Sequence, residues 1–206
     1  MSAPVAQLDR AADYESAGYV FKSRRARPNS VQIVATHFIW EMRRSCERKS
    51  MHITDKTRFF MTEALKEAEK AFAEDEVPIG AVAVYKNQII GRGHNRTEAL
   101  QDPTAHAEIL AITAAANALN TWRLTDVEIY TTIEPCIMCA GALVLARVKK
   151  IVFGARDEKF GGCGSVFNIV NEKKLNHQIE VVEGVLGNDA VLLMKEFFKK
   201  KRNRRG

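Results

Sequence analysis

Four side chains in two short stretches have the types and the spacing to do chemistry. His106 stands two residues before Glu108 within Asp102-Pro103-Thr104-Ala105-His106-Ala107-Glu108, and Cys136 and Cys139 stand three apart in Pro135-Cys136-Ile137-Met138-Cys139. An imidazole and two thiolates are borderline and soft donors that suit Zn2+. Structural zinc is usually closed by four protein ligands, whereas catalytic zinc keeps one position for water. Three donors with a carboxylate beside them therefore describe a catalytic site. Zinc held there makes water a usable nucleophile near neutral pH, and Glu108, which is not needed as a ligand, can take the proton and pass it on. The expected roles are His106, Cys136 and Cys139 as ligands of one zinc ion and Glu108 as proton shuttle.

These residues must be positioned by ordered elements, and the pattern supplies them. A helix is expected from Thr54 or Asp55, with Met61, Leu65, Ala68 and Phe72 on one stripe and the pairs Glu63/Lys66 and Glu67/Lys70 on the outer face. It ends before Pro78. Ile79 to Tyr85 and Ile89 to Gly93 read as strands joined by a turn at Lys86-Asn87-Gln88. Ala105 to Leu119 reads as a helix with Pro103-Thr104 as its start signal, and Cys136 to Arg147 as another. Strands are expected over 127–132, 150–153 and 179–182, a glycine-rich loop from Gly154 to Gly164, and a last helix over 188–202. This alternation predicts an α/β fold, a mixed five-stranded sheet with helices on both faces. His106/Glu108 and Cys136/Cys139 then sit in the first turns of two helices, whose positive ends favour thiolates.

The chain has 206 residues, enough for one well-buried domain, and a formal net charge of +6. The basicity lies at the two ends, and the last twelve residues carry Lys195, Lys199, Lys200, Lys201, Arg202, Arg204 and Arg205 against Glu196 alone. Such a cluster fits a polyanion such as RNA, or serves only as a solvated tail. With Cys136 and Cys139 assigned to metal, Cys46 and Cys163 make no disulfide framework, and the expectation is a reducing, cytoplasmic compartment with Cys163 a free thiol in a flexible loop. Val31 to Trp40 is the one candidate targeting segment and is too short and too polar to span a membrane. Residues 1–50 sustain no period. Val5-Ala6-Gln7-Leu8-Asp9-Arg10-Ala11 and Val20-Phe21-Lys22-Ser23 can be back-translated into sequences resembling the D-arm and T-arm of a transfer RNA gene. The expectation is that Met51 is the real start and that 51–206 is the functional domain; the alternative is a genuine disordered, RNA-binding extension.

A Cys-x-x-Cys alone is equally a redox pair or half a zinc ribbon, and a His-x-Glu alone says little. Joined in this order, with Pro135 before the first cysteine, they match the signature of zinc-dependent nucleobase deaminases. Glu76 to Ala81, Gly93 to Arg96, Asp102 to Ile109, Glu134 to Ala142, Gly154 to Asp157 and Phe197-Phe198 further resemble the bacterial tRNA-specific adenosine deaminases, over about residues 51–205. That resemblance implies a three-layer cytidine-deaminase-like fold, a homodimer, and hydrolysis of the wobble adenosine of a tRNA anticodon loop to inosine. It also implies that Asn95 contacts the extruded base, that Asp157 and Lys159 lie beside the neighbouring nucleotide, and that Phe198 and the following cations meet the anticodon stem-loop. Each has a plainer alternative: Asn95 bracing a turn, Asp157 capping the loop, Phe197 or Phe198 lying in the core. Two other functions remain open to the sequence. One is a deaminase of a free nucleoside or base such as cytidine, guanine or a pteridine-like ring, which has no use for the basic tail. The other is a catalytically silent RNA-binding subunit with structural zinc, which has no use for Glu108.

Overall fold

The computed structural model describes residues 54–204, so the expectations for residues 1–50 and Met51, and for Arg205, lie outside the described residues. The chain runs α1 (Asp55–Ala73), β1 (Gly80–Tyr85), β2 (Gln88–His94), α2 (Thr97–Leu100), α3 (Ala107–Leu119), β3 (Glu128–Ile133), α4 (Ile137–Leu145), β4 (Lys150–Ala155), a 3-10 turn (Ile169–Asn171), β5 (Glu180–Glu183) and α5 (Gly187–Asn203). The strands form one mixed sheet in the order β2-β1-β3-β4-β5. β1 is antiparallel to both β2 and β3, whereas β3, β4 and β5 run parallel. Lys86 and Asn87 both have positive φ, 47° and 65°, which gives the opening hairpin the tight two-residue turn that matches strand twist. Parallel strands cannot be joined that way, and α4 makes the crossover from β3 to β4.

Both faces of the sheet are apolar, which is why its strands show so little polar alternation. Val82, Val84, Tyr130 and Val152 face one side and pack on Phe60, Met61 and Ala64 of α1. Ala83, Ile129, Ile151 and Phe153 face the other and pack on Ala115 of α3 and Leu143 and Val144 of α4. Helices on both faces close a three-layer α/β/α fold, with α5 lying on the α1 side. The helices come close because β1 and β2 carry glycines: a Cβ at Gly80 would lie 2.2 Å from the Ala64 carbonyl oxygen, and one at Gly93 would lie 2.2 Å from that of Ala107. Close seating of α3 on β2 is what brings its first residues to the site.

α1 starts where the sequence places it, with Thr54 Oγ1 accepting a hydrogen bond from the Thr57 N–H at 3.1 Å. Its outer face differs from expectation. Glu67 is buried, 2% exposed, because β2 brings Arg92 and His94 against it, and it accepts from Arg92 at 3.2 Å and from Lys70 at 2.9 Å. A buried carboxylate needs such partners. Arg92 and His94 are far off in sequence, so the helical period alone puts Glu67 in water.

Candidate metal centre

The N-termini of α3 and α4 meet, but neither His106 nor Cys136 is inside its helix. Both are N-cap residues with extended backbone, φ −80° and ψ 153° for His106 and φ −66° and ψ 172° for Cys136. The helices start at Ala107 and Ile137, one or two residues later than the sequence pattern suggested, so the Pro103-Thr104 start signal is corrected. Asp102 accepts from both the N–H and the hydroxyl of Thr104 at 2.7 Å, which makes a turn there instead. Asn95 takes over the start of α3: its Oδ1 accepts the Ala107 N–H at 2.9 Å. Its side-chain N–H groups are thereby left to face the cavity it lines.

His106 Nδ1 lies 3.6 Å from Cys136 Sγ and 3.6 Å from Cys139 Sγ, and the three donor atoms all lie within 4.8 Å of one another. At zinc bond lengths of about 2.3 Å to sulfur and about 2.0 Å to nitrogen, tetrahedral angles put such donors roughly 3.5 Å apart. The donor set fits that ion. The charges agree. The hydrogen bond from Cys139 is the main influence holding the Cys136 thiol down to about 4, and that same bond, with burial, pushes Cys139 well up. The His106 imidazole is raised, chiefly by its hydrogen bond with Cys136. Two sulfurs this close share one negative charge between them, and a divalent cation is what lets both ionise.

Glu108, in the first turn of α3, is 3% exposed, with Oε2 3.6 Å from Cys139 Sγ. Burial pushes its carboxyl up to about 7, with the negative Cys136 adding to the rise and His106 opposing it. A carboxyl that gains and loses a proton near neutrality, beside a metal site, is suited to proton transfer.

A cavity of about 980 Å³ opens from these groups. His106, Glu108, Cys136 and Asn95 form its floor; Asp157, Lys159 and Phe160 form one wall; Val191, Met194, Lys195, Phe198 and Arg202 of α5 form the other. Thus every candidate from the sequence lines one space, except Cys139, which is fully buried. Phe198 is exposed there at 43%, while Phe197 is a core residue packed edge-on against Phe72. Asp157 also caps its own loop, its Oδ1 accepting from the N–H groups of Lys159 at 2.9 Å and Phe160 at 3.2 Å. The basic tail divides. Lys201 and Arg204 are tied to Asp75 at 2.8 and 3.1 Å and Lys200 lies over the Phe72 ring, whereas Lys195 and Arg202 face the cavity. That division follows the helix face, with positions 195, 198 and 202 on one side.

Two findings stand outside the sequence reading. Cys163, expected in a loose loop, is 8% exposed and packs in the core beside α4. Glu134, quoted above only as part of a resemblance, is buried at the end of β3 and accepts four hydrogen bonds from the loop after β4. Burial pushes its pKa up, but those four bonds outweigh it and hold the carboxyl below its usual value. The available signal was a lone carboxylate between the apolar end of a strand and Pro135.

Comparison with known proteins agrees with this geometry. Residues 54–202 match the MafB19-like deaminase family. A tRNA-specific adenosine deaminase of Aquifex aeolicus is 51% identical over 145 residues, 70% of this chain and 95% of that protein. One from Bacillus subtilis is 50% identical over 146 residues, covering 71% and 91%. Among solved structures, one from work on A-to-I editing by tRNA:A34 deaminases at the wobble position of transfer RNA superposes with a TM-score of 0.64 at 41% identity, covering 66% of this chain and 98% of that one. A guanine deaminase from Nitrosomonas europaea gives 0.60 at 27% identity, covering 68% and 84%.

Proposed function

We propose that this chain, which belongs to the MafB19-like deaminases and among them to the tRNA-specific adenosine deaminases, hydrolyses the wobble adenosine of a tRNA anticodon loop to inosine. The single observation that carries this reading is the joining of a His/Cys/Cys donor set and a buried Glu108 to a groove whose walls carry Phe160 and Phe198 and the cations Lys159, Lys195 and Arg202. A free-base deaminase needs the first half of that arrangement and not the second. The catalytic unit is residues 51–206, a reading supported by the family match over residues 54–202. Incubation of the protein with total tRNA, followed by sequencing for A-to-I changes, tests the reading; absence of inosine at the wobble position rejects it.

His106, Cys136 and Cys139 would hold one zinc ion per subunit, whose Lewis acidity would make water a nucleophile near neutral pH. Glu108 accepts a proton from the attacking water as its oxygen bonds to the ring carbon bearing the amine. It gives that proton to the ring nitrogen, takes the second proton from the new hydroxyl as the carbonyl forms, and passes it to the amine as the C–N bond breaks and ammonia leaves, so that water and adenosine become inosine and ammonia. Asn95, its oxygen engaged with Ala107, donates to the extruded base. Asp157 and Lys159 flank the neighbouring nucleotide, and Phe198 offers a face for an unstacked base.

The division of the tail makes a prediction. Arg202→Ala should weaken binding of an anticodon stem-loop and reduce the slope of log K against log salt by about 1, as for the loss of one phosphate contact. Lys201→Ala should leave that slope unchanged, because Lys201 is engaged with Asp75. Titration of binding across salt concentrations measures both, and equal effects would refute the division.

Ile137, Met138 and Leu145 of α4 are exposed, as is Phe160, whose carbonyl accepts the Ile137 N–H. α4 carries no charged residue from Ile137 to Leu145, which supports a homodimer through its exposed side. Sedimentation should report twice the chain mass, and a monomer at micromolar concentration would count against it. The tRNA substrate supports a cytoplasmic location, checked by cell fractionation. No described helix is long and apolar enough to cross a membrane.

A further inference from the structure

One buried carboxylate has no part in the proton transfers above, yet a whole loop is built on it. Glu134 Oε1 accepts from the backbone N–H of Cys163 at 2.9 Å and of Ser165 at 3.1 Å; Oε2 accepts from the Asp157 N–H at 3.0 Å and from the Ser165 hydroxyl. All four acceptor positions of the carboxylate thus go to the segment between β4 and the 3-10 turn.

The backbone repeats the attachment. Glu134 N–H donates to Ala155, Gly162 N–H to Pro135 and Ile137 N–H to Phe160, at 2.8, 2.8 and 3.1 Å. Gly161 passes so near that a Cβ there would lie 2.6 Å from the Glu134 carboxylate. The same Glu134 lies two residues before the metal-ligating Cys136. Together with these backbone bonds it therefore couples two parts of the site that lie on either side of the long crossover: the reaction centre, and the wall of Asp157, Lys159 and Phe160.

We propose that Glu134 is a positioning residue for RNA, holding the Asp157–Phe160 wall at a fixed offset from Cys136 so that the neighbouring nucleotide and the reacting base are received in register. The proposal rests on the tRNA reading given above. It assigns to Glu134 no contact with substrate and no proton transfer.

Glutamine at this position is nearly isosteric but replaces one acceptor oxygen by a donor. With its oxygen toward Cys163 and Ser165, its amide meets the Asp157 N–H donor to donor, while the Ser165 hydroxyl can turn to accept. Glu134→Gln thus releases Asp157 selectively. On an anticodon stem-loop, KM should rise about 10-fold, the order expected for loss of one charge-assisted hydrogen bond. The metal-to-protein ratio should stay at the wild-type value, kcat should change little, and amide exchange at Asp157 should speed up. Ser165→Ala, which removes one bond and adds no opposing donor, should shift KM the same way by less.

Wild-type KM and wild-type Asp157 exchange in Glu134→Gln overturn the proposal, as does a loss confined to kcat or to metal content. If Glu134→Gln does not fold, Ser165→Ala decides, and an unmoved KM then overturns it. A wild-type protein that makes no inosine on the stem-loop would instead bring down the tRNA reading itself.

Discussion

Glu108→Gln should stop inosine formation while leaving the metal in place. The substitution keeps the size of the side chain and its seat in the first turn of α3, and it removes no donor from His106, Cys136 and Cys139. What it removes is a group able to accept a proton and return it. A single acid or base contributes about 10²–10⁴-fold, and here one carboxylate serves both water and leaving group, so kcat should fall to the far end of that range or beyond. The metal-to-protein ratio, measured by mass spectrometry, should match wild type. Inosine formation that survives Glu108→Gln would assign the proton transfers to another group, whereas biological function unchanged by the substitution despite lost inosine formation would favour a silent, RNA-binding role. In the active protein the pH profile carries the same assignment. Glu108 must be ionised to take the first proton, so kcat/KM should rise with pH as it deprotonates. Burial, the main cause, and the negative Cys136 push it up to about 7. A bound dication opposes both, so the acid limb should have its midpoint at or below 7. A limb centred well above 7 would assign the proton transfer elsewhere.

The residues that made this prediction possible were legible because their chemistry is local. A His two before a Glu, and two thiols three apart, name donors and a base without any folding. The strands and helices were legible for the same reason, since their periods are short. What could not be read depends on partners far along the chain. Glu67 reads as a surface residue until β2 brings Arg92 and His94 to it. Asn95 reads as either a brace or a base contact, and in the fold its oxygen braces α3 while its N–H groups stay on the cavity. Pro103-Thr104 has the composition of a helix start, but Asp102 captures Thr104 and delays it. Glu134 was unreadable because its partners are at 157, 163 and 165. The burial of Cys163 was hidden for that reason too, since its N–H is held by a carboxylate 29 residues earlier.

Cys139→Ala should abolish both metal retention and activity, and should lower the melting temperature more than loss of a buried thiol alone. Cys139 is fully buried and contacts both His106 and Glu108. Without it two donors remain, which is fewer than any zinc site of this type uses. Binding to the folded state alone stabilises by about 4 kcal/mol at a thousandfold excess of free ligand over Kd. For a domain of this size that is a shift of roughly 8–16 °C. Chelation of the wild-type protein should produce a comparable drop, and chelation of Cys139→Ala almost none. Cys163→Ser supplies the contrast: it changes a buried thiol that is not among the clustered donors, so metal content should stay at the wild-type ratio. Calorimetric melting with metal analysis checks all three. Full metal occupancy in Cys139→Ala would overturn the donor assignment.

The position of α5 in the chain has a consequence for how the protein is made. Synthesis proceeds from the N-terminus, and domains fold as their residues emerge. The three clustered donors proposed for the metal and Glu108 precede residue 140, whereas the wall that carries Phe198, Lys195 and Arg202 is the last helix of the described residues. A nascent chain therefore completes its reaction centre well before its groove has a second side. Fastening of that side waits on Phe197 meeting Phe72 and on Asp75 capturing Lys201 and Arg204. Prematurely terminated chains would carry the chemistry without the means to hold a stem-loop, and so would not compete with finished enzyme for tRNA.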